Sequence, residues 1–193
     1  RLGGYLFRRI LKIKVDHRFD DKRDDPLKFG MFWLLQAITV WVVMLPVYGA
    51  LNGGHRAAAG SQIPAIFFFG TALWLIGFVL ETVADGQKFR FKNRESNKGA
   101  FMRSGVWSWS RHPNYFGEML VWWGITLAAT PFFSGLEYLF YSGPLFITLL
   151  LIFVSGINLL ERSAEEKWGG DPAYRRYKNT TSILIPLPPR RKD

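Results

Sequence analysis

The feature that most limits the possible fold is a long run without any charged side chain, from Phe29 to Leu51. At about 1.5 Å per residue in an α-helix, this run is long enough to cross the roughly 30 Å hydrocarbon core of a bilayer. A segment at that depth must satisfy its own backbone polar groups, and a helix does so. The sequence therefore predicts a membrane-spanning helix at about residues 29–51.

Three further apolar runs bring the predicted number of spans to four. We place the second span at about residues 63–84, the third at about 113–133 and the fourth at about 138–160. No linker of distinct composition separates two halves of the chain, so one domain is expected over residues 1–193. The predicted fold is an all-α, polytopic transmembrane helical bundle.

The basic residues lie almost entirely on one predicted side of the membrane. Residues 1–28 hold nine of the 25 Lys and Arg residues, residues 85–112 hold seven, and residues 161–193 hold eight. The connections on the other side, 52–62 and 134–137, hold one and none. This positive-inside pattern predicts that both basic terminal segments face the cytosol, or the stroma or matrix in an organelle. It also accounts for the net charge of +10 without a nucleic-acid partner.

Cysteine and histidine usage argues against several classes of site. The chain has no cysteine, which excludes disulfides, thiolate metal sites and a cysteine nucleophile within it. Its three histidines, His17, His55 and His112, are far apart in the sequence, and four spans place His55 on the opposite side from the others. We therefore predict no metal site. The glycine-rich motifs of Rossmann and P-loop nucleotide sites do not occur.

The most specific segment is Arg-His-Pro-Asn-Tyr-Phe-Gly-Glu at residues 111–118. Pro113 suits the first turn of a helix, so we expect a helix to begin there and to enter the membrane. Arg111, Asn114 and Glu118 then fall along one stripe at the positive end of that helix. Such a set suits an anionic, hydrogen-bonding ligand such as a nucleotide. The alternative is that these residues mark the membrane interface and pack against their neighbours.

A second polar cluster lies at the end of the second predicted span. Glu81, Asp85 and Lys88 share a helical stripe there. A carboxylate at the depth of Glu81 is costly unless it has a partner. The cluster therefore either faces a cavity or forms a local ion pair that ends the helix.

A third polar cluster follows the fourth span. Arg162 and Glu166 are four residues apart in a highly charged helix, and such a charge run usually forms a solvated face. The chain then ends in a basic tail that contains Ile-Pro-Leu-Pro-Pro at residues 185–189, which we expect to act as an anchor or strap. All three polar clusters fall on the basic side of the predicted bundle.

Several of these segments resemble the steroid 5α-reductase-like membrane family, in its branch known as DUF1295. The octapeptide at 111–118 carries the resemblance together with Asp-Gly-Gln-Lys at 85–88 and Trp-Trp-Gly at 122–124. His-Arg-Phe-Asp at 17–20 and the stretch 174–186 also resemble that branch. The resemblance covers essentially the whole chain.

The resemblance implies a bundle of about seven spans, of which this chain would be the last four. It further implies NADPH bound in the cytosol-facing half, with hydride delivered to a carbon–carbon double bond in a steroid-like or lipid enone. The chain begins with Arg1 and not Met, so we expect a preceding segment. In steroid reductases that segment carries the catalytic acid; in this chain Tyr115 is a candidate donor.

The resemblance also implies cofactor contacts by position. Asp85, Asn114 and Glu118 match family residues near the nicotinamide and ribose, and looser matches concern the phosphate and adenine contacts. The predicted cofactor-binding residues are Asp85, Lys88, Arg111, His112, Asn114, Glu118, Arg162, Glu166 and Tyr177.

Two other functions stay open on the sequence. The Arg-His-Pro-x-Tyr opening also occurs in membrane methyltransferases that modify isoprenylcysteine carboxylates with S-adenosylmethionine. Asn114, Glu118 and the segment 85–88 favour the reductase. The other hypothesis is a structural subunit of a larger membrane complex. The expected partners are the lipid bilayer and a hydrophobic lipid or steroid-like substrate, with no nucleic acid.

Overall fold

The computed structural model describes residues 2–13, 24–57, 63–154 and 156–189. Within these ranges the secondary structure is helical, with no strand and one isolated bridge between Ser110 and Ser182. The prediction of an all-α fold is therefore confirmed. Of the two predicted basic terminal segments, residues 1, 14–23 and 190–193 lie outside the described ranges.

The described residues form seven α-helices. They are α1 (Leu2–Ile13), α2 (Pro26–Ala57), α3 (Ala65–Lys92), α4 (Pro113–Ala129), α5 (Ser142–Leu149), α6 (Ile157–Trp168) and α7 (Pro172–Thr180). The chain divides into two compact units, Arg1–Trp41 and Val42–Asp193. The second unit contains all of the contacts discussed below.

Three helical stretches are long and apolar enough to cross a membrane: Pro26–Gly54, Ala65–Lys92 and Gly135–Trp168. The last contains α5, a π-helical segment at Leu150–Val154 and α6. These stretches overlap the predicted first, second and fourth spans. They fit a polytopic integral membrane protein.

Helix α3 continues beyond the predicted end of the second span at residue 84, as far as Lys92. The charged residues that begin at Asp85 end the apolar run, but Gln, Lys and Arg are good helix formers, so the helix does not end with the hydrocarbon. The part of α3 beyond residue 84 therefore holds Asp85 and Lys88.

Helix α4 packs antiparallel along α3 through direct backbone contact at glycines. A Cβ atom added to Gly124 would lie 2.4 Å from the backbone nitrogen of Trp74. One added to Gly77 would lie 2.6 Å from the carbonyl oxygen of Gly117. Small residues permit this close approach, which is a common way for helices to associate inside a membrane.

The predicted third span corresponds to α4, which begins at Pro113 as expected and is followed by a 3₁₀ turn at Thr130–Phe132. At 17 residues α4 is about 26 Å long, so it is shorter than the three spanning stretches. It lies beside α3, however, and would share the depth of α3 in a bilayer. The four-span topology stays a prediction.

A small apolar core joins α4 to the C-terminal part of α2 and to the last spanning stretch. Val43, Met119, Ile147 and Leu151 are buried together. Nearby, the Trp123 indole Nε1 donates a hydrogen bond of 3.1 Å to Thr148 Oγ1. These contacts place the start of α6 opposite the start of α4.

We predict that Gly124→Ala destabilises the protein, because the new methyl group would displace the backbone of α3. Overpacking of this kind costs about 1–3 kcal/mol. The midpoint of thermal unfolding in detergent would report the loss. Gly86→Ala is the matched control, since its methyl group would meet only Arg90 Nη2, at 3.7 Å. Equal midpoints for the two variants would contradict the proposed backbone contact.

Candidate functional site

The segment that precedes α4 is held in place by the C-terminal tail. The backbone nitrogen of Arg111 donates to the Ser182 carbonyl at 2.8 Å, and the backbone nitrogen of Leu187 donates to the Trp109 carbonyl at 3.0 Å. Between them, the Ser110 hydroxyl donates to the Leu184 carbonyl at 2.7 Å. The tail therefore acts as the strap that the sequence predicts.

Ser110 also fixes the position of the His112 backbone. Its hydroxyl accepts a 3.1 Å hydrogen bond from the backbone nitrogen of His112, and Ser110 itself is fully buried. Pro113 then begins α4 without a backbone N–H that would need a partner. As a result the side chains of Arg111 and His112 have defined positions at the entrance of the helix.

Both of these side chains meet Glu161, which lies in α6. Arg111 Nη1 pairs with Glu161 Oε2, and His112 Nε2 lies 2.8 Å from Glu161 Oε1. The side chains of Arg111, His112 and Glu161 are only 11%, 6% and 18% exposed. One carboxylate thus connects the entrance of α4 to α6, with an oxygen for each partner.

Two buried polar atoms of this cluster have no hydrogen-bond partner within the described residues. They are Arg111 Nε and His112 Nδ1. Buried polar atoms are nearly always satisfied in folded proteins, so each exception needs an explanation. Arg111 Nε can only donate, whereas His112 Nδ1 accepts in a neutral ring and donates in a charged one. Neither atom has appreciable accessible surface in this conformation, so a ligand with polar oxygens would bind them after a small movement of the side chains.

Tyr115 connects this cluster to the acidic residues of α3 and α4. Its ring stacks on the His112 ring with the centroids 5.7 Å apart and the planes 11° from parallel. Its hydroxyl lies within electrostatic range of the carboxylates of Glu118 and Asp85. Tyr115 therefore lies between the Arg111–His112–Glu161 cluster and the carboxylates of Asp85 and Glu118.

Trp107 forms a buried wall beside the cluster. Its indole Nε1 donates to the Ala84 carbonyl of α3 at 3.0 Å, and Lys88 Nζ lies 4.5 Å from the centre of its ring. Its carbonyl accepts a 2.6 Å hydrogen bond from the Tyr177 hydroxyl of α7. Burial raises the pKa of Tyr177 far above its ordinary value, so this hydroxyl stays protonated and remains a donor.

Aromatic rings form the outer side of the site. Phe101 contacts Trp168, Tyr174 and Tyr177, with ring centroids 6.1, 5.2 and 5.6 Å away. The Trp168 indole Nε1 donates to the Gly99 carbonyl at 2.6 Å, which ties the end of α6 to the loop after α3. The rings are therefore fixed relative to one another and to α7.

Together these groups line a cleft with a volume of about 200 Å³. Its described lining includes four basic side chains, Lys88, Lys92, Arg111 and Lys167, and one acidic side chain, Glu161. The excess of positive charge and the aromatic rings suit an anionic ligand that also has a flat, stacking part. Binding clefts that enclose a whole drug-sized ligand usually measure about 300–1,000 Å³, which is larger than this volume. This cleft would therefore hold part of a larger ligand.

The cleft brings together four of the predicted cofactor-binding residues: Lys88, Arg111, His112 and Tyr177. Asp85 and Glu118 lie near Tyr115 instead, and Asn114 is half-buried in the first turn of α4. Arg162 and Glu166 pair with each other on the exposed face of α6, at 83% and 66% exposure. These two form the solvated face that a charge run usually makes. No group of three or more His, Asp or Glu residues that could hold a metal ion occurs in the described ranges.

Glu161 and the aromatic residues of the cleft other than Tyr177 were not among the predicted site residues. The predicted carboxylate in α6 was Glu166, whereas Glu161 is the carboxylate that faces the α4 entrance. A usable signal was present, because Glu161 is the first charged residue after the fourth apolar run. An acid at that boundary needs a cation, and the Arg111 segment is expected at the same membrane face.

The sequence model of the family described as "Protein of unknown function (DUF1295)" matches residues 1–181. A protein of Schizosaccharomyces pombe described as uncharacterized is 27% identical over 172 aligned residues, which cover 79% of this chain and 47% of the relative. The chain thus spans about half the length of this curated relative. No solved structure matches it.

We predict that Glu161→Gln lowers the free energy of unfolding by about 3 kcal/mol, because it leaves a buried guanidinium without its counter-charge. Glu166→Gln is the matched control on the same helix and should change stability by less than about 1 kcal/mol, as expected for an exposed pair. Denaturant unfolding in micelles would measure both. Equal losses would show that the Glu161 cluster does not hold α6 against α4.

Proposed function

The chain belongs to the DUF1295 family, and from this premise we propose that it is the cofactor-binding part of a membrane-bound, NADPH-dependent reductase. The proposed reaction reduces a carbon–carbon double bond in a steroid-like or lipid enone. The observation that carries the proposal is the pair of buried atoms without partners, Arg111 Nε and His112 Nδ1, in a cationic cleft with aromatic walls.

The residues of the cleft fit an anionic dinucleotide. Arg111 keeps one nitrogen on Glu161 and has Nε left for a phosphate oxygen, and Lys167 adds a second cation from α6. The partly exposed rings of Phe101 and Trp168, which line the cleft, suit a nucleobase. Because the cleft holds only part of such a ligand, the remainder would extend beyond it.

Glu161 orients both groups that would contact the ligand. Its two oxygens hold Arg111 and His112 at the same time, so their positions are set before any ligand arrives. A preorganised site loses less free energy on binding than one that must be ordered by its ligand. Glu161 also balances part of the local positive charge, which lowers the cost of burying the guanidinium.

When bound, NADPH supplies a hydride for the acceptor carbon. Within this chain the group suited to hold a proton is the Tyr115 hydroxyl. It lies near the carboxylates of Asp85 and Glu118, and its ring is fixed by stacking on His112. A phenol in such a position can donate to an acceptor oxygen as enolate charge develops there.

The proposed orientation of the protein in the membrane follows from the distribution of its basic residues. The cleft lies among the segments that hold most of the basic residues, and the positive-inside rule places these in the cytosol, or in the stroma or matrix of an organelle. A soluble cofactor is available in each of these compartments. The hydrophobic acceptor would come from the bilayer.

We predict that Arg111→Lys weakens NADPH binding by about 10- to 100-fold. A lysine keeps the charge opposite Glu161 but has no atom in place of Nε, and a hydrogen bond to a charged group contributes about 1.5–3 kcal/mol. Nicotinamide fluorescence, followed during titration of the purified full-length protein, would report the affinity.

The matched control is Arg162→Lys, on the exposed face of α6, which should bind NADPH as the wild type does. An equal loss in both variants would contradict the assignment of the cleft. Binding of S-adenosylmethionine in place of NADPH would indicate the methyltransferase. Binding of neither cofactor would favour a structural subunit.

A further inference from the structure

A second and larger concavity lies on the other side of the Trp107 segment. It is an open groove with a volume of about 780 Å³ and an almost wholly apolar lining. One wall is the face of α3 that carries Ile76, Val79 and Val83. This wall lies in the half of α3 nearer the basic side, at hydrocarbon depth if α3 crosses the membrane.

The opposite wall of the groove comes from segments outside the predicted spans. Val106 and Trp109 contribute from the turn before α4, and Ile185 contributes from the C-terminal strap. Trp109 and Ile185 are 51% and 54% exposed, although both are large and apolar. Exposed apolar side chains in an otherwise basic tail are stabilised by contact with lipid, and tryptophan is enriched at the headgroup level.

A cation lies above the groove on the same face of α3. Gly86 follows Val83 by three residues and Arg90 follows Gly86 by four, so the three positions share one helical face. A Cβ added at Gly86 would lie 3.7 Å from Arg90 Nη2, so the guanidinium folds back along α3 to Gly86, one turn beyond the groove residue Val83. Arg90 is exposed and has no carboxylate partner among the described residues.

We propose that this groove binds an anionic membrane lipid, with an acyl chain along α3 and the headgroup at Arg90. The apolar walls suit the chain, and the guanidinium suits a phosphate or carboxylate at the membrane surface. A neutral lipid or an apolar protein helix would fill the walls equally well but would leave Arg90 unused. The site is separate from the cleft, and the proposal does not depend on the proposed reductase activity.

The test uses the full-length protein in phosphatidylcholine vesicles that contain a trace of lipid with a photoreactive diazirine in its acyl chain. The trace lipid carries either a phosphatidylglycerol or a phosphatidylcholine headgroup. After irradiation, mass spectrometry maps the adducts. We expect about fivefold more adducts on residues 75–83 with phosphatidylglycerol, the scale of attraction of one basic residue to an anionic headgroup.

Arg90→Gln should remove this preference, so that both lipids label residues 75–83 equally. Because Arg90 is exposed and makes no ion pair in the described structure, its variant should fold normally. Arg94→Gln, just beyond the end of α3, is the matched control and should keep the preference. Val79→Trp should fill the groove and reduce labelling by both lipids, whereas Leu149→Trp on α5 should not.

Two results would overturn the proposal. Equal labelling of residues 75–83 by the two lipids in the wild-type protein would show that the groove does not select an anionic headgroup. Adducts elsewhere but none on residues 75–83 would show that a protein segment or a second copy covers the groove. Because the assay contains no nucleotide, either result leaves the proposed function untouched, and failure of NADPH binding leaves this site untouched.

Discussion

The arrangement of the candidate site depends on one partly buried carboxylate, Glu161. It holds the guanidinium of Arg111 and the imidazole of His112, and so connects the entrance of α4 to α6. A charge in this place is costly alone, and each of the three groups is tolerable because the other two are present. Within the described ranges, Arg111 Nε and His112 Nδ1 have no hydrogen-bond partner. Incomplete satisfaction at an otherwise well-ordered position is what a binding site requires, because the ligand then supplies what the protein lacks.

Two other features of the fold set the position of the α4 entrance relative to that carboxylate. The glycine contacts between α3 and α4 fix how far α4 extends toward the basic side, and the C-terminal strap fixes the chain just before α4 through Ser110. Neither feature belongs to the cleft itself. Residues distant in the sequence, such as Gly124 and Leu184, therefore control the position of the Arg111 and His112 side chains.

Much of the fold could be predicted from the sequence, because apolar runs and glycine, proline and charge positions act locally. The start of α4 at Pro113 and the role of the strap are examples. The ends of the helices were less predictable, since α3 continues past Asp85 for reasons of helix propensity. For the cleft, the sequence identified the Arg111 segment but not its partner. The predicted residue in α6 was Glu166, whereas the contact made by Glu161 depends on which face of α6 meets α4, and this is set by tertiary packing.

The most direct test of this account is an electron cryomicroscopy map of the full-length protein with NADPH. The account predicts density for a phosphate next to Arg111 Nε, with the Glu161 carboxylate still bound to Arg111 and His112, and the rest of the dinucleotide leading toward Asn114 and Glu118. Density for the dinucleotide at any other place, with the cleft between α4 and α6 filled by a protein side chain, would contradict it.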